Sequence, residues 1–418
     1  MVRWIKNNFV FCCALFVALL IYAKVIPIKN YGATNFLFLQ EERIVAGKGI
    51  LVGNPILNQK GTFYSVDVEW SELRTSCEKV SGKVKSKLLL PISLVEQHYP
   101  GKFFSLAKDK QSFILEQGVL IDADLVHVFS DKEIWFKVKS LKNQQWKNPW
   151  LQFRGLLRLQ IKRILFAWGD AGGLFLALLT GSREYLNKTA SDNFQLTGLS
   201  HILALSGLHI GFFYGISYTI AKVIFPHVVR SSFSLIFAFL FVWFAGINPS
   251  LLRALLFFVF RFISKKIELS WNFYHIISLS FLAHLVIKPE DCMSASFLFS
   301  YASLLGMVSF SSVAKTLFVH IFGFSLGSSL CSSVGAQLAT NPISLVLFKS
   351  IAPIGIIANF FVSPLITLFL YLGLFSLIIC LVIPFLVAPI SAMMSSLYFV
   401  IEWVVALFAQ VPPIIVEG

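Results

Sequence analysis

Charge is scarce in this chain of 418 residues: only 13% of them are Asp, Glu, Lys or Arg, against about a quarter in a soluble domain. Hydrophobic residues make up 56%, with 43 phenylalanines among them. A soluble core of that size would leave too little polar side chain to cover its outside, which excludes an ordinary soluble fold. A bilayer, being an apolar solvent itself, removes the conflict. Carboxylates are scarcer still, 21 against 35 Lys and Arg, for a net charge of +14. Residues 1–29 contribute about +4, residues 30–150 about +3 and residues 151–418 about +7. Cationic flanks of membrane spans account for part of that surplus; a basic chain also attracts nucleic acid or anionic lipid. Cysteine is sparse as well. Of six, only Cys77 falls in the polar segment 30–150, so an internal disulfide there is excluded. No CxxC pair occurs, and neither a zinc nor a redox site is expected. No phosphate-binding loop is present, so no ATP hydrolysis is expected.

What is there divides the chain into four blocks. Phe9–Ile28 is an almost uninterrupted apolar run behind Arg3 and Lys6, without a cleavage pattern after it. It reads as an uncleaved first span within a 1–29 anchor, its amino terminus cytoplasmic. Residues 30–150 alternate polar and apolar side chains, as in Phe63–Trp70 and Glu133–Lys139, between the turn formers Gly47, Gly49, Gly53-Asn54-Pro55, Gly61, Gly82 and Pro100-Gly101. That pattern predicts a small all-β barrel or sandwich, placed outside the cytoplasmic membrane by the alternation of sides. Residues 151–200 combine an amphipathic helix with a re-entrant segment. Arg154, Arg158 and Lys162 recur every fourth position, with Arg163 beside them, a cationic stripe suited to the membrane surface. The next apolar run, Gly172–Leu179, is too short to cross about 30 Å of hydrocarbon, and is expected re-entrant or partly buried in protein.

From 201 to 418 spans are expected near 202–225, 231–247, 250–264, 271–287, 294–311, 314–330, 332–348, 351–371, 372–390 and 392–411. Some of these read as broken or re-entrant, so the fold class is a polytopic α-helical integral membrane protein of about nine to eleven spans. Inner loops carrying Lys222 and Arg230, then Arg261, Lys265 and Lys266, fit the positive-inside tendency.

Chemistry concentrates in Gly198–Gly211, where two histidines, two serines and three glycines enter an apolar span. Unsatisfied polar groups cost several kcal/mol in a bilayer, so His201, Ser206, Gly207 and His209 are expected to face a cavity or a neighbouring helix. Ser206 and His209, three apart, share a helix face, and His201 lies about 80° round by the helical step, within reach of the same cleft. Interhelical hydrogen bonding with close glycine packing is the plainer alternative. A serine–histidine hydrolase is a third, though proximity at i, i+3 alone does not position a base. Arg253, inside the 250–264 span, marks a functional path or a paired partner, with Arg261 near the same face. Polar breaks at Asn341-Pro342 and Asn359 would supply unwound backbone beside a cavity.

The run His201-Ile202-Leu203-Ala204-Leu205-Ser206-Gly207-Leu208-His209 resembles the signature of the ComEC family of competence proteins. Leu178-Leu179-Thr180-Gly181-Ser182-Arg183 resembles the family's leucine-rich segment ending in Gly-Asp-Arg, with Ser182 in place of the aspartate. Leu252-Arg253-Ala254, Thr340-Asn341-Pro342, Ala358-Asn359 and Pro364 resemble its later elements, in the family's order. The resemblance implies an extracytoplasmic OB-like domain over residues 30–150, although the usual Gly-Asp turn near its end appears as Gln117-Gly118-Val119. It implies a channel in the bacterial cytoplasmic membrane that passes single-stranded DNA inward, with DNA and membrane lipid as partners. A cytoplasmic ATP-driven motor, a DNA receptor and a second copy of the chain are further partners it suggests. No HxHxDH metal motif accompanies the chain, so no nuclease activity, cofactor or metal is expected. On this reading His201, Ser206, Gly207, His209, Arg253, Asn341 and Asn359 line the path. An intramembrane hydrolase and a transporter of lipid or another anionic metabolite are the alternatives.

Overall fold

The computed structural model describes residues 44–58, 62–75, 79–94, 115–128, 135–269, 271–322 and 324–415, with Phe11, Ala14, Val17 and Ala18. The expected first span, Phe9–Ile28, and Cys12, Cys13 and Cys77 therefore lie largely or wholly outside the described residues. The backbone divides into two compact units: Asn30–Asp192 with Leu365–Trp403, and Met1–Lys29 with Asn193–Pro364 and Val404–Gly418.

In the first unit the alternating segments form five long strands: β1 (Ile44–Leu51), β2 (Phe63–Thr75), β3 (Lys79–Pro91), β4 (Val119–Val128) and β5 (Trp135–Trp146). They close on themselves in the order β1–β2–β3–β5–β4–β1. Every pairing is antiparallel except β3 with β5, which run parallel from Lys87↔Trp135 to Leu89↔Lys137. This is a closed five-stranded barrel of OB-like order. Period-two alternation sends Val66, Val68 and Trp70 inward and leaves Asp67 outside. At the centre Trp70 meets Phe136 edge-on at 5.9 Å, and its indole Nε1–H donates to Ser86 Oγ at 2.6 Å.

Gly47, Gly49 and Gly82, expected at turns, stand inside strands instead. In β1 the reason is space. A Cβ at Gly47 or at Gly49 would come within 2.8 Å of the Trp70 ring, so the strand approaches the indole only through hydrogen atoms.

Asn148 caps the helix that follows, its side chain accepting from Leu151 N–H at 2.8 Å, with Pro149 at the first helical position. This is α1 (Pro149–Ala167); α2 (Gly169–Thr180) is apolar and almost wholly buried within protein.

The second unit begins within α3 (Lys188–Leu196). A single turn at Ser200–Leu203 precedes α4 (Gly207–Ile224), α5 (His227–Ala245), α6 (Pro249–Lys266) and α7 (Phe273–Ile287). Then come α8 (Ala295–Phe322) and α9 (Phe324–Phe348). α10 (Gly355–Val382) and α11 (Val387–Ala409) follow, with Leu365–Trp403 belonging to the first unit. Where the hydropathy pattern predicts separate runs at 294–311 and 314–330, and again at 351–371 and 372–390, one long helix replaces most of each pair. Apolar side chains mark no boundary there. Among the described residues four helices are long and apolar enough to cross a bilayer: His227–Ala245, Leu330–Phe348, Gly355–Val382 and Pro384–Ala409. Shorter apolar helices occupy Gly169–Thr180, Phe273–Ile287 and Ala295–Phe310. Large side chains such as Val228, Phe375, Phe399 and Trp403 lie open on the surface, a pattern that fits a membrane protein.

Candidate functional site

The signature stretch is a broken helix. Ala204 is extended (φ −85°, ψ 138°), so the turn at Ser200–Leu203 ends and α4 restarts at Gly207. Ser206 is the N-cap of α4, not a member of its face. Its Oγ accepts from Leu208 N–H at 3.3 Å, and its own N–H donates to His209 Nδ1 at 3.1 Å. Serine and histidine thus close a capping box. The single lone pair on Nδ1 is engaged by a backbone N–H, which leaves the imidazole proton on Nε2. That nitrogen is buried and has no hydrogen-bond partner among the described residues.

The break also separates the two histidines, since the 100° step does not run through Ala204. His209 is buried, whereas His201 is exposed. Instead of sharing a cleft with His209, His201 joins a second group. Its Nδ1 lies 3.2 Å from Gly198 O, and its ring lies close to the side chain of Asn359. Asn359 Nδ2 donates to Ser333 Oγ at 3.2 Å, and Ser363 Oγ–H donates to Asn359 Oδ1 at 2.8 Å. Gln337 Nε2 donates to Ala352 O at 2.8 Å. Three distant stretches, near 198–201, 333–337 and 352–363, therefore converge.

The expected unwinding at Asn341-Pro342 and at Asn359 is not found. Both positions sit in continuous helices, with Pro342 inside α9 and Asn359 near the start of α10. A proline deletes one N–H without ending a helix whose neighbouring turns stay bonded. Asn341 is half-buried, and among the described residues no hydrogen bond joins it to the other path residues.

Arg253 projects from the first half of α6 and is 8% exposed. Its guanidinium carbon stands 6.0 Å from the Tyr301 ring centroid. Tyr301 OH is 3.4 Å from His284 Nδ1, and His284 Nε2 is 3.2 Å from Asp291 Oδ2. A Cβ at Gly207 would come within 3.0 Å of Arg253 Nη2, so the start of α4 and the arginine lie side by side. Sequence reasoning missed Tyr301, His284 and Asp291, whose spacing along the chain carries no periodic signal. Arg261, by contrast, is exposed.

The cationic stripe of α1 is not a membrane-facing surface. Arg154, Arg158 and Lys162 are buried and only Arg163 is half-buried. Lys162 Nζ lies 2.7 Å from both Glu116 Oε1 and Glu184 Oε2, and Arg158 Nε lies 3.0 Å from Glu116 Oε2. Arg158 Nη2 donates to Asn54 Oδ1 at 2.9 Å, and Arg154 Nη2 donates to Gln117 Oε1 at 3.2 Å. Two cations meet two carboxylates, which is why the stripe tolerates burial. Burial alone would lower the Lys162 pKa, but the carboxylates of Glu116 and Glu184 more than offset it and hold the ammonium above its usual value. Burial raises the Glu184 carboxyl against the opposing pull of Lys162. The apolar residues between the cations look alike for a lipid surface and a protein interior, so the stripe itself carried no sign of Glu116 or Glu184.

On the barrel, the parallel β3–β5 seam carries lysines and aromatic rings together. Lys87 Nζ sits 5.2 Å from the Trp135 ring centroid and Lys137 Nζ 4.9 Å from that of Phe63. Lys85 and Lys139 are exposed nearby on the same strands. Among the described residues no group of three or more His, Cys, Asp or Glu is arranged to hold a metal ion.

A family model described as Competence protein matches residues 178–417. ComE operon protein 3 of Bacillus subtilis (strain 168) is 30% identical over 199 residues, 47% of this chain and 25% of that protein. Recombination protein 2 of Haemophilus influenzae (strain ATCC 51907 / DSM 11121 / KW20 / Rd) is 29% identical over 223 residues, 46% of this chain and 26% of that protein. The chain thus matches about a quarter of the length of these curated relatives. No solved structure matches. The family model takes in the capped helix with Ser206 and His209, the buried Arg253 and the Asn359 junction, and with more than half of the sequence matched this chain belongs to the Competence protein family, the ComEC family.

Proposed function

We propose that this chain is an inner-membrane channel protein for uptake of single-stranded DNA during natural transformation. The observation that carries the reading is the family match spanning the signature helix, joined to a buried arginine beside that helix's start. Each nucleotide brings one phosphate charge that hydrocarbon does not solvate, so a path must offer polar walls and scattered cations. His201 with Asn359, and Ser206, Gly207 and His209 with Arg253, supply such groups in the helical unit; Asn341 is a weaker candidate. The barrel supports the same reading. Lysines interleaved with Phe63 and Trp135 suit a strand whose backbone is anionic and whose bases stack. In this reading the barrel faces the outside, the four long helices cross the bilayer, and a separate cytoplasmic motor and a DNA receptor act with it. No catalytic step is assigned to the chain: His209 Nδ1 lies 3.2 Å from Ser206 Oγ, but it accepts from Ser206 N–H at 3.1 Å as part of the helix cap.

The test is transformation with labelled DNA. A deletion strain that takes up DNA as well as its parent would sink the function. If His209→Ala and Arg253→Ala left uptake intact at normal expression, the site assignment would fail while the function stood.

A further inference from the structure

We infer that the start of α4 and the Arg253 guanidinium together form a binding site for a single phosphodiester group, and that the DNA strand supplies it; the choice of DNA rests on the function proposed above. A helix amino terminus carries the equivalent of about half a positive charge and leaves N–H groups unsatisfied. α4 has 18 residues, and Gly207 is its first. Leu208 N–H is satisfied by the Ser206 hydroxyl and His209 N–H by the Ser206 carbonyl, and Gly207 N–H makes no hydrogen bond among the described residues. Arg253 Nη2 lies against that residue, close enough to crowd any side chain there. Two positive poles side by side repel unless an anion bridges them.

Among the described residues no carboxylate forms an ion pair with Arg253. From Asn193 to Pro364 the only carboxylates are Glu268, Glu290 and Asp291. Glu268 and Glu290 are exposed, and Asp291 is engaged with His284. Arg253 has no ion pair among the described residues, and its Nε, with the side chain 8% exposed, has no hydrogen-bond partner there. Tyr301 stands beside the guanidinium, its ring centroid 6.0 Å from the central carbon, and a guanidinium's N–H groups fork onto phosphate oxygens. Access is open at this point, since Ala204 and Leu208 are exposed and Ser206 and Gly207 are half-buried. A glycine at the first helical position then has a purpose: it lets a phosphate oxygen reach the backbone N–H beside the arginine.

A phosphodiester is common to a DNA backbone and a phospholipid headgroup, so the experiment separates them. The whole chain, purified in neutral detergent, is titrated with inorganic phosphate, with a fluorescent oligothymidylate and with micelles doped with phosphatidylglycerol. Thermal unfolding reads the phosphate and phosphatidylglycerol arms, and fluorescence anisotropy reads oligonucleotide binding. Phosphate should raise the unfolding midpoint of the parent chain and not that of Arg253→Gln. The oligonucleotide should bind Arg253→Gln about tenfold to a hundredfold more weakly, as expected when one charge-assisted hydrogen bond is removed. Arg253→Lys keeps the charge without the fork, and Gly207→Ala keeps the arginine but narrows the approach; both should weaken the phosphate response, and they carry the test if Arg253→Gln does not fold. Equal phosphate protection of the parent and the variants overturns the site. If phosphate protects neither, yet the oligonucleotide binds both alike, the site falls and the DNA reading survives. An Arg253-dependent rise of the unfolding midpoint with phosphate and with phosphatidylglycerol micelles, and no oligonucleotide binding, overturns the assignment to DNA.

Discussion

At the scale of single residues, the largest stability effects belong to Lys162. It is fully buried and bridges two carboxylates, so Lys162→Met leaves negative charge stranded in the interior. Removing one partner of a buried pair costs about 3–5 kcal/mol, and denaturant unfolding of the detergent-solubilised chain should register it. Adding Glu184→Gln should recover much of the loss, because Arg158 and Glu116 then remain as a matched pair. Ser206 makes a smaller contribution. Ser206→Ala should cost about 1 kcal/mol through loss of the cap, whereas Ser206→Asp should stay near neutral; an equal loss for both would show that the hydroxyl does more than cap. Gly47→Val forces a side chain against Trp70 and should cost about 1–3 kcal/mol by overpacking, read in the same unfolding assay.

At the scale of elements, the charge cluster gives α1 and the barrel a pH signature. The Lys162 pKa is raised on folding, so its contribution is fully present below its ordinary value of 10.5 and is lost as pH rises through the higher folded value. The parent chain should therefore lose stability in alkali beyond pH 10.5 more steeply than Lys162→Met, as measured by unfolding midpoints across that range. The strands were legible because Phe63–Trp70 and Glu133–Lys139 alternate with period two, and the pattern survives in a barrel whose one side is core. The signature at His201–His209 was legible as a site, but not as a cap, because a helix break at Ala204 and restart at Gly207 leave no mark in hydropathy. The burial of Arg154, Arg158 and Lys162 was not legible at all. Periodicity reports which side of a helix a residue occupies, and says nothing of what faces it. For the same reason long apolar stretches such as Gly355–Val382 blur where one helix stops and the next starts. That makes the number of spans the least readable feature of the chain.

For the whole molecule, the basic and aromatic seam on the barrel sets a measurable expectation for oligonucleotide binding. Phe63→Ala and Trp135→Ala should each weaken binding by about 1–3 kcal/mol if a base stacks there. Lys137→Gln should instead lower the steepness of the salt dependence, by about 0.7 for each phosphate it no longer neutralises. Unchanged affinity and slope in all three variants would remove the seam from the path. The ionic quartet also has a bearing on how the chain is made. Glu116 enters from the end of the barrel, Arg158 and Lys162 arrive later on one helix, and Glu184 comes last, after a second helix has been laid down. A nascent chain halted before Glu184 carries two cations facing one carboxylate, and water must stay with them. Sealing that interior waits for the last partner to emerge.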